Sequence, residues 1–157
     1  VARDDVDRAD VLLMPGGFGT RRLEGDAGLL DWVRAIDATT TTTMSVCTGS
    51  MVLAAAGLLE GRPATTHWAS LERLAEYGAV PTAERVVTSD KYVTAAGVSS
   101  GIDMALRLME LLFDRTTAEA CQLMIEYDPQ PPTHTGSLAR ATPAVIERAR
   151  EHARHRK

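Results

Sequence analysis

The sequence predicts an α/β fold, a sandwich in which helices cover both faces of a mostly parallel sheet. Short apolar or β-branched runs alternate with segments of helical periodicity along most of the chain, which indicates repeated strand–helix units. The 157 residues, 45% of them hydrophobic and 24% charged, are enough for a domain with a buried core. Because neither an internal repeat nor a linker is visible, we expect residues 1–157 to form a single domain.

The first half of the chain predicts two strand–helix units. A buried strand at residues 11–14 runs into a glycine-rich turn at residues 15–19. A helix follows at residues 23–36, where apolar residues recur at helical spacing between acidic ones. The threonine-rich residues 40–46 predict the second strand, and the apolar residues 51–59 predict the helix after it.

The middle of the chain predicts three short strands and one helix. Residues 64–66 form a strand, and a helix over residues 67–77 ends at Gly78. Two β-branched runs, residues 85–88 and 92–95, flank a turn-rich break and predict a hairpin or adjacent strands.

The last third of the sequence predicts three helices. The first covers residues 102–113 and is capped by the serines that precede it. The second covers residues 116–126, with Cys121 on its apolar side as a core residue. An irregular proline-rich loop over residues 128–132 separates them from a polar terminal helix at residues 143–154.

The most informative motif is Ser45-Val46-Cys47-Thr48-Gly49, in which a cysteine stands between a strand and a helix. It is the cysteine version of the G-x-S-x-G elbow, whose sharp turn exposes a nucleophile to a pocket. The helix after Cys47 directs unpaired N–H groups toward the sulfur, and this field favours the reactive thiolate. Without these flanks, a free cysteine would indicate a buried core residue. With them, the sequence predicts that Cys47 is a nucleophile.

Two glycines end the first strand, and the elbow ends the second. Because parallel strands bring their carboxyl ends to one edge, Gly16 and Gly17 are predicted to lie beside Cys47 and Thr48, where α/β sheets bind ligands. The backbone N–H groups of Gly17 and Thr48 would then form an oxyanion hole for charge that develops when the sulfur attacks carbon. Taken alone, the Pro-Gly-Gly turn would indicate only a tight strand–helix connection.

Three further residues are predicted to line the same pocket, because each follows a strand: His67, Gly97 and Val98. Two interpretations of His67 stay open, an acid–base group close to Cys47 or a structural histidine at a helix start. Thr48 also offers a hydroxyl that can bond to a neighbouring carboxylate. The other histidines lie in polar segments where solvation is the simplest expectation: His134, His152 and His155.

Charge and motif content argue against several function classes. The net charge of −4 gives no basic field for nucleic acid or anionic membranes, and the basic run at the end of the chain is interrupted by glutamates. Gly16, Gly17 and Gly19 do not complete a dinucleotide-binding G-x-G-x-x-G pattern. Two cysteines provide neither a disulfide framework nor metal-ligand spacing, so we expect no metal and a cytoplasmic location.

Seven blocks of this sequence resemble the ThiJ/PfpI superfamily, and within it the isocyanide hydratases. The Ser-Val-Cys-Thr-Gly and Ala-Thr-Thr-His-Trp blocks are shared with the amidase-like domains of AraC-type transcription regulators. The Glu-Tyr-x-Pro-x-Pro-Pro block favours the hydratases. The blocks are residues 10–20, 45–50, 54–59, 64–68, 84–87, 94–97 together with 101–103, and 125–132.

This resemblance implies a homodimeric, flavodoxin-like three-layer sandwich of the glutamine amidotransferase-like type. It also implies hydration of an isocyanide, R–N≡C, to an N-substituted formamide without a metal or organic cofactor. Cys47 matches the nucleophile, and Thr48 matches the residue that positions the catalytic acid. Gly17 and Thr48 match the backbone donors.

The sequence departs from the family at its start. The family supplies its general acid–base carboxylate from an N-terminal strand–helix unit that precedes the position of Val11. Acidic residues do occur before Val11, but they lie in the wrong segment to match: Asp4, Asp5, Asp7 and Asp10. We therefore expect residues 1–157 to be N-terminally incomplete, poorly active and marginally stable.

Two alternatives to a hydratase remain. The same fold serves as a small-molecule sensor in transcription regulators, a class that would need a helix-turn-helix module after Lys157. A non-catalytic remnant is the other alternative, since the expected carboxylate has no match.

Overall fold

The computed structural model describes residues 2–154 and contains a four-stranded sheet with helices on both faces. A separate pair of short strands lies beside it. Within the described residues the strands are β1 (Val11–Met14), β2 (Thr42–Val46), β3 (Pro63–Ala64), β4 (Val80–Pro81), β5 (Val86–Ser89) and β6 (Tyr92–Ala95). The α-helices are α1 (Thr20–Leu23), α2 (Ala27–Asp37), α3 (Gly49–Ala55), α4 (Ser100–Leu112), α5 (Arg115–Met124) and α6 (Pro143–Arg154).

The main sheet has the order β1-β2-β6-β5 and is mostly parallel, as predicted. β1 and β6 both run parallel to the central strand β2, and β5 pairs antiparallel with β6. Met14 therefore lies opposite Ser45, and Val46 lies opposite Ala95. This register brings the carboxyl ends of β1, β2 and β6 to one edge of the sheet.

Two apolar layers cover the sheet, so the predicted sandwich is confirmed. On one face, Leu12 and Met14 of β1 pack with α2 and α3, whose Met51 and Leu53 are fully buried. On the other face, Met44 and Val93 pack against Met104 of α4. Because successive strand residues point to opposite faces, β1 and β6 contribute to both layers: Leu12 and Tyr92 belong to the first, and Val11 and Val93 to the second. No helix within residues 2–154 is long and apolar enough to cross a bilayer.

The helix predicted at residues 23–36 was wrong in its start, because two helices occupy this region. α1 ends at Leu23, and α2 begins at Ala27. The carboxylate of Asp26 accepts a hydrogen bond from the backbone N–H of Leu29 at 3.0 Å and caps the second helix. The cap formed by Asp26 starts a new helix here, although the apolar periodicity across residues 23–36 predicted a continuous one.

Two further elements, β2 and α3, are shorter than predicted. Residue 40 lies outside β2 because the Thr40 hydroxyl donates to the carbonyl of Asp37 at 2.9 Å, which holds it in the turn after α2. Helix α3 ends at Ala55 rather than residue 59, and Gly57 follows in a left-handed conformation with φ of 80°.

The segment after β3 forms a 3-10 helix, Trp68–Tyr77, rather than an α-helix. His67 is its N-cap, and Gly78 ends it with φ of 76°, as the sequence predicted for this glycine. The short strand extends only to Ala64, and its parallel partner β4 was missed. Both strands have only two residues, too few to show a periodic signal.

The hairpin of β5 and β6 and the terminal helix α6 match the prediction closely. Ser99 precedes α4 without capping it through its side chain, and instead its hydroxyl accepts a hydrogen bond from Arg85. Cys121 on α5 is partly exposed rather than part of the core. The terminal run that includes His155 extends beyond the described residues.

Candidate active site

The predicted elbow is present at the carboxyl end of β2. Cys47 has φ of 56°, a left-handed conformation that a non-glycine residue adopts only when its surroundings hold it there. Its backbone N–H donates to the carbonyl of Ala95 at 3.0 Å, so β6 supports the turn. Helix α3 begins two residues later, at Gly49. Strained turns of this kind cluster at functional sites.

Two hydroxyl groups hold the carbonyl of Cys47. Thr66 Oγ1 donates to it at 2.8 Å, and Ser50 Oγ donates at 3.1 Å. Thr66 lies just after β3, so this bond brings the segment that follows β3 directly to the elbow. The sequence analysis missed both residues as parts of the site. The available signal was a run of small polar residues after a strand, next to a histidine.

Two glycines allow the turn after β1 to contact the elbow. A Cβ added to Gly16 would lie 2.6 Å from the Cβ of Cys47 and 2.8 Å from the nitrogen of Thr48. A Cβ added to Gly49 would lie 2.1 Å from the carbonyl oxygen of Met14. Real Cβ atoms do not make such short contacts, so both positions need glycine. The two strand ends therefore meet in the structure.

The Thr48 hydroxyl accepts a hydrogen bond from a backbone N–H group of the turn after β1. The N–H of Gly17, which has φ of 143°, donates to Thr48 Oγ1 at 3.0 Å. Thr48 Oγ1 in turn lies 3.1 Å from the carbonyl oxygen of Gly17, which also accepts from the Thr20 hydroxyl at 2.8 Å. The Thr48 side chain thus bonds to a peptide group rather than to a carboxylate. A ligand can use the Gly17 N–H only if this hydroxyl releases it.

The predicted pocket residues after β6 lie at the same edge of the sheet. Gly97 is partly exposed and Val98 is 80% exposed, and both precede α4. Near the start of α4, a Cβ on Gly101 would lie 3.2 Å from the side chain of Val46, the residue before Cys47. This places the loop close to the elbow, and its role as a pocket wall remains a prediction.

His67 follows Thr66 and is half-buried. Its Nδ1 accepts a hydrogen bond from the backbone N–H of Ala69 at 3.3 Å, and its ring lies 5.5 Å from that of Trp68. Burial lowers the pKa of the imidazole below the usual 6.5, which favours the neutral ring. His67 is therefore the N-cap of the 3-10 helix, and its predicted place in the pocket of Cys47 remains a prediction. Within residues 2–154, no three His, Cys, Asp or Glu side chains come together as a metal ion would require.

Comparisons with known proteins identify the family of this chain. Residues 2–111 match the sequence profile of the DJ-1/PfpI family. The isonitrile hydratase of Pseudomonas putida is 44% identical over 150 residues, which are 96% of this chain and 66% of the hydratase. The HTH-type transcriptional regulator CdhR of Pseudomonas aeruginosa is 34% identical over 69% of this chain and 32% of the regulator.

Solved structures show the same fold. A ThiJ/PfpI family protein from Pseudomonas syringae superposes with a TM-score of 0.87 at 42% identity, covering 94% of this chain and 61% of that protein. Oxidized Toxoplasma gondii DJ-1 superposes with a TM-score of 0.65 at 26% identity, covering 81% of this chain and 68% of DJ-1. The chain thus spans about two thirds of the length of the hydratase and of these two solved structures, and about a third of the regulator.

Proposed function

The chain belongs to the DJ-1/PfpI family, and we propose that it is an isocyanide hydratase-like enzyme with Cys47 as its nucleophile. The observation that carries this proposal is the left-handed turn that presents Cys47 at the carboxyl edge of the sheet. The 44% identity with an isonitrile hydratase across almost the whole chain supports the substrate class. We further propose that residues 1–157 form a single domain that acts as a homodimer in the cytoplasm. Its substrate is a small molecule rather than nucleic acid.

The proposed reaction adds water across the isocyanide carbon in two stages. The thiolate of Cys47 forms a C–S bond with the terminal carbon of R–N≡C, and a proton joins the same carbon to give a thioimidate. Water then adds to this carbon and the C–S bond breaks, which returns the sulfur to the thiolate. The nitrogen keeps one proton from the water, and the other is released in place of the proton taken up in the first stage. The product is the formamide R–NH–CHO, and no metal or organic cofactor takes part.

Two backbone groups would hold the oxygen while it carries negative charge. The N–H groups of Gly17 and Thr48 lie on the two turns that meet at Cys47. Before the Gly17 N–H can bind substrate oxygen, Thr48 Oγ1 must release the 3.0 Å bond it makes with that group. A donor that is already aligned toward developing charge lowers the barrier by about 3 kcal/mol in comparable acyl-transfer sites.

A sensor of small molecules is the second candidate, because a transcription regulator matches 69% of this chain. A sensor would bind its ligand reversibly at the same edge and would release it unchanged. Turnover therefore separates the two candidates more sharply than binding does.

Cyclohexyl isocyanide offered to the full chain tests the proposal, with formamide production followed by proton NMR. We expect the Cys47→Ala variant to produce no formamide, since no other group replaces the sulfur. Cys121→Ala is the matched control, because both cysteines are partly exposed, and it should retain the wild-type rate. Turnover by Cys47→Ala would exclude the covalent step. Reversible binding without turnover would favour the sensor if an extension by the family's N-terminal strand–helix unit, which carries the acid–base carboxylate, also failed to give formamide.

A second measurement tests the nucleophile without a substrate. Brief treatment with iodoacetamide near neutral pH, followed by peptide mapping, should label Cys47 before Cys121. Since both cysteine residues are partly exposed, access alone does not predict this preference. Preferential labelling of Cys121 would contradict the assignment of the elbow as a reactive site.

A further inference from the structure

A buried carboxylate joins helix α1 to the 3-10 helix that follows β3. Glu24 comes directly after α1, and its side chain is only 7% exposed. Its Oε2 accepts a hydrogen bond from Nη2 of Arg73 at 2.6 Å and another from the Tyr77 hydroxyl at 3.0 Å. We name Glu24, Arg73 and Tyr77 the carboxylate bridge. The proposed reaction assigns no role to any of the three.

The bridge depends on these two donors. The second oxygen of the carboxylate, Glu24 Oε1, is buried without a hydrogen-bond partner within residues 2–154. Burial and the bond to Glu24 raise the pKa of Tyr77 above 10.0, so the phenol keeps its proton and remains a donor. Because water does not reach the buried oxygens, it cannot replace Arg73 or Tyr77 as a donor. The position of the Glu24 side chain is therefore set by the 3-10 helix.

On one side, hydrogen bonds lead from the bridge to the turn after β1. The N–H of Glu24 donates to the carbonyl of Thr20 at 3.0 Å, and the Thr20 hydroxyl donates to the carbonyl of Gly17 at 2.8 Å. Gly17 in turn contacts the elbow through Thr48 Oγ1. Helix α1 has only four residues, too few to be stable by itself. Contacts from outside the helix must therefore fix its place.

On the other side, the bridge leads back to the elbow. Arg73 and Tyr77 lie on the 3-10 helix, which begins two residues after Thr66. Thr66 is only 1% exposed, and its hydroxyl donates to the carbonyl of Cys47 at 2.8 Å. The turn after β1 and the segment after β3 thus each contact the elbow, and the bridge joins them to each other. Together these contacts form a closed ring.

We propose that Glu24 is a positioning residue for the hydratase reaction, because the carboxylate bridge holds α1, and with it the Gly17 N–H, against the elbow. The proposal rests on the function given above, in which this N–H binds the substrate oxygen. Before it does so, the Thr48 hydroxyl must release the N–H, and the turn then loses one of its contacts with the elbow. The bridge keeps the turn in place at that step. Glu24 acts through Thr20 and α1 rather than on the substrate itself.

The kinetic signature follows from the time at which the N–H binds. A donor that binds oxygen only while the oxygen carries charge stabilises the transition state, so its displacement lowers kcat and leaves KM nearly unchanged. Glu24→Leu fills the buried space without an acceptor. We expect it to lose about tenfold in kcat, with KM within about twofold of wild type. Glu24→Gln keeps an acceptor oxygen for Arg73 and Tyr77 and should stay within about threefold of the wild-type kcat.

Glu76→Leu is the matched control. Glu76 also pairs with Arg73, at 3.7 Å, but it is 63% exposed and lies on the same helix, so it joins no two segments. It should keep the wild-type kcat. An equal loss in Glu76→Leu and Glu24→Leu would show that charge beside Arg73 matters and the bridge does not, which overturns the proposal. So would a Glu24→Gln variant as slow as Glu24→Leu, since the acceptor oxygen would then not be what positions the turn.

NMR tests the positioning without a substrate. Magnetisation transfer from water measures how fast the Gly17 amide exchanges its proton. We expect this exchange to be about tenfold faster in Glu24→Leu, because the N–H leaves Thr48 Oγ1 more often when α1 is loose. The N–H of Cys47, bonded to the carbonyl of Ala95 on β6, should exchange as in the wild type. A lower urea midpoint with unchanged Gly17 exchange would make Glu24 a structural residue only and overturn the proposal.

Tyr77→Phe repeats the test with a smaller change. Its ring still packs against the core, and only the hydroxyl that donates to Glu24 is lost. We expect about threefold faster Gly17 exchange and a similar loss in kcat. If Glu24→Leu does not fold, wild-type exchange in Tyr77→Phe overturns the proposal. If the wild type produces no formamide, the proposed function fails, and Gly17 exchange still decides whether the bridge positions this N–H.

Discussion

The two ends of strands β2 and β6 carry polar clusters of opposite character. At the amino end, the buried carboxylate of Asp37 accepts from the Thr43 hydroxyl at 2.6 Å and from the Tyr92 hydroxyl at 3.1 Å. Lys91 completes this cluster with an ion pair to the same carboxylate at 3.1 Å. Each partner is satisfied, and the cluster ties α2 to both strands.

At the carboxyl end, the backbone is strained and some polar groups have unused hydrogen-bonding potential. Cys47 has positive φ, the Nε2–H of His67 is unpaired among the described residues, and the Gly17 N–H is held only by an exchangeable hydroxyl. Between the two ends, Ser45 Oγ is buried without a partner within the described residues. Polar groups that are fully paired stabilise a fold, whereas unpaired ones cost stability and remain available to a ligand. The comparison predicts that substitutions at the two ends have separable effects.

The largest effect on stability is expected from Asp37→Ala. It removes a carboxylate that is 8% exposed and leaves Lys91, Thr43 and Tyr92 without their common partner. Breaking a buried ion pair costs about 3–5 kcal/mol, which urea unfolding would show directly. Asp31→Ala is the control, because its ion pair with Arg34 is exposed and contributes less than about 1 kcal/mol. Similar midpoints for the two variants would contradict the assigned difference between a buried and an exposed pair.

Matched threonine substitutions compare the two ends at a smaller scale. Thr43→Val removes a buried hydroxyl that donates to a carboxylate, so it should lower the free energy of unfolding by about 1.5–3 kcal/mol. Thr48→Val removes a partly exposed hydroxyl whose partner Gly17 is exposed to water, so the cost should be about 1 kcal/mol or less. For isocyanide turnover the order should reverse, with Thr48→Val the more impaired, because it removes the two hydrogen bonds that fix the Gly17 turn against the elbow and that orient the Gly17 N–H until substrate replaces the hydroxyl. If Thr43→Val were the slower enzyme while folded, the division of roles between the ends would be wrong.

Gly16→Ala tests whether the contact of the two turns shapes the elbow. The added methyl would meet Cys47 Cβ at 2.6 Å and two backbone atoms at 2.8 Å, so the turn must shift at a cost of about 1–3 kcal/mol. Labelling of Cys47 by iodoacetamide should slow, because the thiol moves with its turn. Gly19 lies in the same loop, and a Cβ added there would have no neighbour within 4 Å. In Gly19→Ala, Cys47 should therefore be labelled at the wild-type rate. Equal labelling of both variants would show that the close contact does not position the sulfur.

The edge at which these turns meet could be predicted from the sequence because it follows from strand order and local motif. Parallel strands at residues 11–14 and 42–46 place Gly16 beside Cys47 with few alternatives. The partners that hold the edge could not be predicted, because Thr66 and Ala95 reach it from distant parts of the chain. The bond between Thr48 and the Gly17 turn also joins distant parts of the chain, whereas the break at Asp26 has a local cause, a cap that outweighs the apolar periodicity.

The smallest effects concern pH, and they should have opposite signs at the two ends. Burial and the nearby Asp37 carboxylate raise the pKa of Tyr92 above 10.0, so the folded state retains a proton that the unfolded chain loses. Tyr92 therefore contributes stability that is complete below pH 10 and is lost as the pH rises through the folded pKa.

His67 has the reverse dependence. Burial lowers its pKa below 6.5, so its contribution is complete above that pH and is lost as the pH falls through the folded pKa. Thermal melts of wild type, Tyr92→Phe and His67→Asn across pH 5 to 11 measure both. We expect the difference between wild type and His67→Asn to change only on the acidic side, since Asn caps the helix without titrating. The difference in melting temperature between wild type and Tyr92→Phe should change only on the alkaline side. If it changed on the acidic side instead, a group other than the phenol of Tyr92 would govern the pH dependence of the amino-end cluster.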